Sequence, residues 1–411
     1  DTKIIGLTEN PNELLIGHRG EMDTLGVYVY DLDKKEIREQ LFHHEDYDVR
    51  SVVRNIDGEI IGVQYIADTR QTKLFGSHDT HLGRMRMGFG DYDVSFVDQS
   101  KDGSRLIFRV SSSSDPGALL LSDSSNNKIV RLSYNRSSLS AADMGLVVTT
   151  KYEARDGLQI PAYVTLPPTI RSIEAAKNLP TIILPHGGPY SRSYRRFDYF
   201  AQFFATRGYV VVQMNFRGSS GYGEEYKVAG RNNWVLMQED VEDATRWALE
   251  QGIADPDRTC IAGWSYGGYV ALMGSIKNPD LYACAISIAG ITDIQRLASV
   301  QRYYQFGETA ARKFILSGFE NKQAMKDNSP VRRADELTVP LFLAHANEDL
   351  NVHFDHFEQM RKALKKSDVN VVYLEVKNDD HYFSEQENRE ALFLGLHEFL
   401  EANNGPSEFA N

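Results

Sequence analysis

Cysteine is almost missing from this chain: 411 residues contain two, Cys260 and Cys284. That excludes a small fold framed by disulfides. Each cysteine lies in an apolar, strand-like run, which predicts two buried free thiols. So low a count fits cytosol and periplasm alike, and a soluble cytoplasmic protein is the favoured reading. Long hydrophobic runs are missing too, since none approaches the ~20 residues that a membrane span requires. Positive charge is in deficit, with a net charge of -12. This argues against a nucleic-acid surface, where clustered Lys and Arg must displace counterions from phosphates. The pairs Arg195-Arg196 and Arg332-Arg333 read as solvated faces. The chain begins with Asp rather than Met and shows no signal peptide, so a processed form or a fragment is expected.

A helical period is absent from the start to about Tyr134, where short alternating strands and turn signals dominate. Three segments in this stretch look related, opening at Asn12, Gly58 and Gly103, spaced 46 and then 45 residues apart. Each is followed by further strands, a period that suits the four-stranded blade of a β-propeller. Residues 1–145 are therefore expected to form a propeller portion of about three blades, against the roughly four to eight of a closed ring. Two sheet edges would then lie open. The chain is thus expected to be part of a longer one, completed by a missing propeller portion, or to pair with a partner, a second copy included. The stretch shows no metal-ligand spacing.

From residue 146 the composition changes. Strands flank the turn Arg155-Asp156-Gly157, and apolar strands then alternate with helical patterns. The strands are Thr181 to Pro185, Tyr209 to Met214, Thr259 to Gly263, Cys284 to Ala289, Pro340 to Ala344 and Val369 to Val376. Such alternation predicts an α/β fold over 146–404, a doubly wound and mostly parallel sheet with its ligand beyond the carboxyl ends of the strands. Thr292 to Glu336 interrupts the pattern and reads as an insertion that walls the site. The last helix, around Glu387 to Leu400, gathers Leu392, Leu396, Phe399 and Leu400 on one face, so its His397 reads as structural. A disordered tail is expected over 405–411.

The catalytic portion is organised around Gly263-Trp264-Ser265-Tyr266-Gly267-Gly268-Tyr269. A Gly-x-Ser-x-Gly between a strand and a helix is a nucleophile elbow, which presents the serine hydroxyl on a turn that only glycines tolerate. A serine hydroxyl needs a base within hydrogen-bond reach and a carboxylate to fix the tautomer of that base. In this architecture the acid and then the histidine follow the serine, each just past a strand end. Asp349 and His381 occupy those places. Glu348 is the competing acid, and His345 and His353 are weaker candidates for the base. Asp379 and Asp380 lie too close to His381 in sequence. One oxyanion donor is expected from the Tyr266 amide and the other from the loop His186-Gly187-Gly188-Pro189, which His186 would brace. Arg217, in Asn215-Phe216-Arg217-Gly218, would hold a substrate carbonyl or carboxylate at the rim, or form a structural ion pair with an acid such as Asp240.

Together these motifs give the stretch from about 150 to 400 a resemblance to the prolyl oligopeptidase family of serine peptidases. The HGGP loop makes it most similar to the acylaminoacyl-peptidase-like branch. The resemblance rests on HGGPYS, NFRGSSGYG, GWSYGGY, AHANEDLNV and NDDH taken together. It implies Ser265 as nucleophile, Asp349 as acid, His381 as base, and the amides of Gly188 and Tyr266 as oxyanion donors. It also implies a propeller over the active site that admits slender, unfolded peptides. The acid loop departs from the family pattern at Ala346, where glycine is usual. The paired acids with which dipeptidyl peptidases hold a substrate amino terminus have no counterpart in the blades, because Glu224-Glu225 falls in the catalytic portion. The expected activity is hydrolysis of short peptides through an acyl-enzyme, with no metal or cofactor. A carboxylesterase with the same triad is the alternative, and a catalytically silent binding module is disfavoured because all five positions are filled.

Overall fold

The computed structural model describes residues 2–405; most of the tail expected to be disordered, from 406 on, lies outside the described residues. The chain divides into two compact units. The first comprises residues up to Val147 together with two later strips, Tyr194–Tyr199 and Ser220–Tyr226; the second holds the rest.

Eleven strands of the first unit form three antiparallel sheets. β1 (Thr2–Leu7), β2 (Glu13–His18), β3 (Gly26–Asp31) and β4 (Glu36–Phe42) make one. β5 (Val49–Arg54), β6 (Ile60–Ile66) and β7 (Arg70–Leu74) make the second, and β8 (Asp93–Gln99), β9 (Arg105–Ser111), β10 (Ala118–Asp123) and β11 (Lys128–Tyr134) the third. The repeated segments are β2, β6 and β9, each an inner strand of its sheet. Inner strands bury apolar side chains on the faces that meet a neighbouring sheet, which explains why the repeat is legible there. Leu15 and Val27 pack with Val49 and Val63 between the first two sheets. Val53, Ile61 and Leu74 pack with Val94, Phe96, Leu106 and Phe108 between the second and third.

The second sheet has three strands, and after it the chain forms helix α1 (Asp79–Phe89). No helix was expected in this stretch. Leu82, Met85 and Phe89 follow a helical spacing and join the core between the second and third sheets. Gly83 and Gly88 weaken the helical propensity and hide the pattern.

The two strips are bound closely within the first unit. The Arg195 amide donates to Asp68 O at 2.7 Å, and the Asp48 amide to Gly221 O at 3.1 Å. Arg19 bridges Asp48 and Glu224, at 3.1 Å from each. Glu224, which sequence order assigns to the catalytic portion, therefore belongs to the first unit, and its carboxylate is engaged by an arginine of the same unit.

The second unit is built on an eight-stranded sheet. Its strands are β12 (Val147–Glu153), β13 (Gln159–Thr165), β14 (Leu179–Ile183), β15 (Val210–Met214), β16 (Ala254–Trp264), β17 (Cys284–Ile288), β18 (Leu341–Ala346) and β19 (Val371–Val376). The spatial order is 12-13-15-14-16-17-18-19. Pairing is antiparallel between β13 and β15 and parallel from β15 through β19. Every residue of β14, β15, β17 and β18 is buried, as expected of parallel strands covered on both faces.

Helices α2 (Tyr199–Ala205), α3 (Glu224–Arg231), α4 (Trp234–Glu250), α5 (Tyr266–Lys277), α6 (Ile294–Gln301), α7 (Gly307–Phe314), α8 (Lys322–Asp327), α9 (Asp355–Leu364) and α10 (Gln386–Asn403) complete the chain. In α4, Met237, Val241, Ala244 and Ala248 are buried at helical spacing, and Asn233 caps the first turn by accepting the Leu236 amide. In α10, Leu392, Leu396, Phe399 and Leu400 enter the core, each contributing roughly 2 kcal/mol by burial. His397 stays half-exposed beside Glu401. Among the described residues no helix is long and apolar enough to cross a membrane.

The expectation of two free thiols is overturned. Parallel pairing of β16 with β17 sets Cys260 directly opposite Cys284, their Cα atoms 4.7 Å apart, and the two are joined in a disulfide. Such a pairing depends on strand order, which spacing along the chain does not reveal. The bond closes a loop with a sequence separation of 24. Thiol titration of the unfolded, unreduced protein is expected to find no free thiol, and Cys260→Ala/Cys284→Ala should lower the unfolding free energy in urea by about 3 kcal/mol. Two titratable thiols in the unreduced protein would contradict the pairing.

Candidate active site

β16 runs directly into Ser265, and α5 begins at the next residue. The backbone of Ser265 sits at φ 60°, ψ −119°, a conformation that L-residues adopt only where their surroundings enforce it. Its amide donates to Ile288 O at the end of β17 at 2.8 Å, and its carbonyl accepts the Tyr269 amide at 3.1 Å. Crowding around the turn explains the glycines. A Cβ on Gly263 would lie 2.2 Å from the Gly267 backbone, and one on Gly267 would lie 2.4 Å from Pro185 O. A Cβ on Gly187 would come within 3.0 Å of Trp264 O and 3.5 Å of Ser265 Cβ. The elbow and the HGGP loop thus pack backbone against backbone.

Asp349 stands three residues beyond β18 and is only 4% exposed. One carboxylate oxygen, Oδ1, accepts the amides of Asn351 at 2.8 Å and Val352 at 2.9 Å. The other, Oδ2, lies 2.6 Å from His381 Nδ1 and 3.2 Å from His345 Nε2. Burial by itself raises the pKa of this acid, but the bonds from His345 and His381, with the attraction of His381 and the Val352 amide, outweigh it. The net result lies well below the usual carboxylate range. Glu348, the competing acid, is exposed.

His381 follows β19 on a loop with two further anchors. The indole of Trp264, next to the elbow serine, donates from Nε1 to His381 O at 2.8 Å. Asp379 braces the turn by accepting the amides of Asp380 at 2.8 Å and Ser384 at 2.7 Å, and Asn388 Nδ2 at 2.9 Å. Asp379 is therefore occupied with its own loop.

The structure brings the acid, the base loop and the elbow together at the carboxyl ends of β16, β18 and β19. Among the described residues neither the Tyr266 amide, next to the elbow serine, nor the Gly188 amide donates to another protein group. Gly188 has φ 129°, which favours glycine. Within the insertion over 292–336, Tyr304 reaches the acid loop, its hydroxyl donating to Leu350 O at 3.0 Å. Tyr190, just after the HGGP loop, donates to Phe314 O at 2.7 Å.

Arg217 requires correction as a substrate-binding residue. Its side chain is 4% exposed and lies 2.7 Å from Asp240 and 2.7 Å from Asp156. The Arg217 amide also donates to Asp240 Oδ2 at 2.8 Å. Two carboxylates engage four of its five N–H donors, so this buried side chain is committed to an ion-pair network within the protein. It pins the β12–β13 turn, which carries Asp156, to α4, which carries Asp240. Two contributors were not expected from sequence, His345 on the acid and Trp264 on the base loop. The available signal was positional: His345 lies four residues before Asp349, and Trp264 directly precedes the serine.

Comparison with known proteins points to one family. The profile of the Prolyl oligopeptidase family matches residues 195–406. Dipeptidyl aminopeptidase BIII of Pseudoxanthomonas mexicana is 31% identical over 321 residues, which cover 76% of this chain and 46% of that protein. The acylamino-acid-releasing enzyme of Arabidopsis thaliana is 29% identical over 240 residues, covering 55% of this chain and 30% of that one. The chain thus spans less than half the length of either relative. The structure of a Mycobacterium tuberculosis puromycin-hydrolyzing peptidase superposes with a TM-score of 0.81 at 22% identity, covering 97% of this chain and 61% of that one. That likeness is one of fold.

The geometry separates the two candidate acids by experiment. Asp349→Asn is expected to lower turnover of a chromogenic peptide amide by about 10⁴, the cost of losing the group that fixes the histidine tautomer. Glu348→Gln should stay within about tenfold of the parent, because an exposed carboxylate contributes little. The reverse pattern would exchange the two assignments.

Proposed function

The chain belongs to the prolyl oligopeptidase family, and on that premise we propose that it is a serine peptidase that hydrolyses short peptides through an acyl-enzyme on Ser265. The observation that carries the reading is the Asp349–His381 pair standing beside a strained Ser265 elbow. His381 takes the hydroxyl proton as the serine attacks the scissile carbonyl and returns it to the leaving amine. Asp349 holds the Nδ1–H tautomer and offsets the charge of the imidazolium. The amides of Tyr266 and Gly188 receive the oxyanion, and water then releases the acyl group through the same base.

The three sheets of the first unit are read as consecutive blades of a β-propeller. Their repeat of 46 and 45 residues and their face-to-face packing support this. Three blades fall short of the roughly four to eight of a closed ring. The ring would be completed by blades beyond this sequence or by a partner.

The named relatives act on amino termini in different states, one releasing acylated residues and the other being a dipeptidyl aminopeptidase. A panel of chromogenic amides and esters with free and acylated amino termini therefore tests reaction and substrate class together. Turnover of peptide amides is expected, together with loss on the order of a millionfold in Ser265→Ala. Cleavage of esters alone would favour the carboxylesterase, and labelling of Ser265→Ala by a fluorophosphonate would remove Ser265 as nucleophile.

A further inference from the structure

Among the described residues no hydrogen bond or ring contact joins His186 to Ser265, Asp349 or His381, yet both of its ring nitrogens are engaged. The imidazole stacks on Phe216 with centroids 4.3 Å apart and planes 19° from parallel. Its Nδ1 lies 2.8 Å from the carbonyl oxygen of Gly187, and its Nε2 lies 2.8 Å from Ser219 Oγ. The Gly187 carbonyl and the Gly188 amide belong to one trans peptide unit, in which C=O and N–H point in opposite directions. A donor that grips the carbonyl on one side therefore aims the amide out on the other. Gly187 itself stands against Trp264 and Ser265.

We propose that His186 is the positioning residue of the oxyanion site: as the neutral Nδ1–H tautomer it donates to Gly187 O and so orients the Gly188 amide. This rests on the reading of that amide as an oxyanion donor. Gly187 O can only accept, so it places the proton on Nδ1; Ser219 Oγ, 2.8 Å from Nε2, can then offer its proton there. Phe216 O lies 2.7 Å from the same hydroxyl and competes for its proton, while also accepting the Ser219 amide at 3.0 Å. The opposite tautomer would set a bare Nδ1 lone pair against the Gly187 carbonyl. Neutrality has its own cause: burial, reinforced by the charge of Arg192 and opposed by the Gly187 bond, lowers the His186 pKa to about 4. A preorganised donor costs no reorganisation when the oxyanion forms, which is the source of its catalytic value.

Two substitutions separate positioning from packing. His186→Phe keeps an aromatic ring on Phe216 and removes the donor, whereas His186→Asn places an amide nitrogen where Nδ1 stands. The measurements are kcat, KM and inhibition by a peptide boronic acid, whose adduct with the serine presents an oxygen to the oxyanion site, with thermal unfolding as the control for folding. His186→Phe is expected to lose about a hundredfold in kcat at nearly constant KM, the scale of a lost oxyanion donor. Boronate affinity should fall in parallel, and His186→Asn should recover most of both. Ser219→Ala, a milder change, should lower kcat several-fold without altering KM. Full kcat in His186→Phe overturns the proposal, as does an Asn variant no better than Phe in a folded protein. If Ser265→Ala retains activity, the serine-peptidase reading itself fails; if Ser265→Ala is inactive while His186→Phe is unaffected, the role of His186 alone fails.

Discussion

Backbone must touch backbone at the elbow, and this steric condition governs the rest of the site. Gly267 presses on Pro185 O and Gly268 on Gly290 at separations that leave no room for a side chain, and Gly187 meets Trp264 O so closely that a Cβ there would make the neighbour give way. One added methyl at Gly267 would drive the HGGP loop away from Ser265. The glycines therefore act on the distance between two loops, beyond permitting a tight turn.

The acid answers to a second condition, that a buried charge must have its lone pairs occupied. Asp349 meets it with two amides on one oxygen and two imidazoles on the other. The amides come from its own turn, so one carboxylate oxygen is held independently of the histidines. His381 is then located from the far side by Trp264, so the residue beside the nucleophile also holds the backbone of the base. Asp349, His381 and Ser265 are in this way linked through the ends of β16, β18 and β19.

The strands of the catalytic portion were legible because buried parallel strands are continuous apolar runs, and the elbow because glycine spacing around a serine is a local signature. The meeting of Asp349 with His381 could be anticipated for a similar reason, as each lies on the loop that follows its strand. What escaped was set by neighbours distant in the chain. The cysteines became a disulfide because β16 and β17 are adjacent in register. Arg217, which could be read either as a rim cation or as a partner of Asp240, was decided by the position of α4 and the β12–β13 turn. Helix α1 was concealed by its own glycines, and its three apolar anchors acquire meaning only against the sheets they cover.

The composition of the first unit bears on how this protein can be divided. Its chain leaves at Val147, yet Tyr194–Tyr199 and Ser220–Tyr226 return to it from within the catalytic sequence. The peptide therefore passes between the units several times, and no single cut in the backbone separates them. A fragment beginning after Val147 would carry both strips without their hosts: Arg195 would lose Asp68 and Asp93, Glu224 would lose Arg19, and Tyr222 would lose the ring of Tyr47. Recombination between relatives meets the same obstacle, since exchanging the first 147 residues alone would pair new sheets with two inherited strips. Those strips must change together with the sheets, so the unit of exchange is discontinuous in sequence.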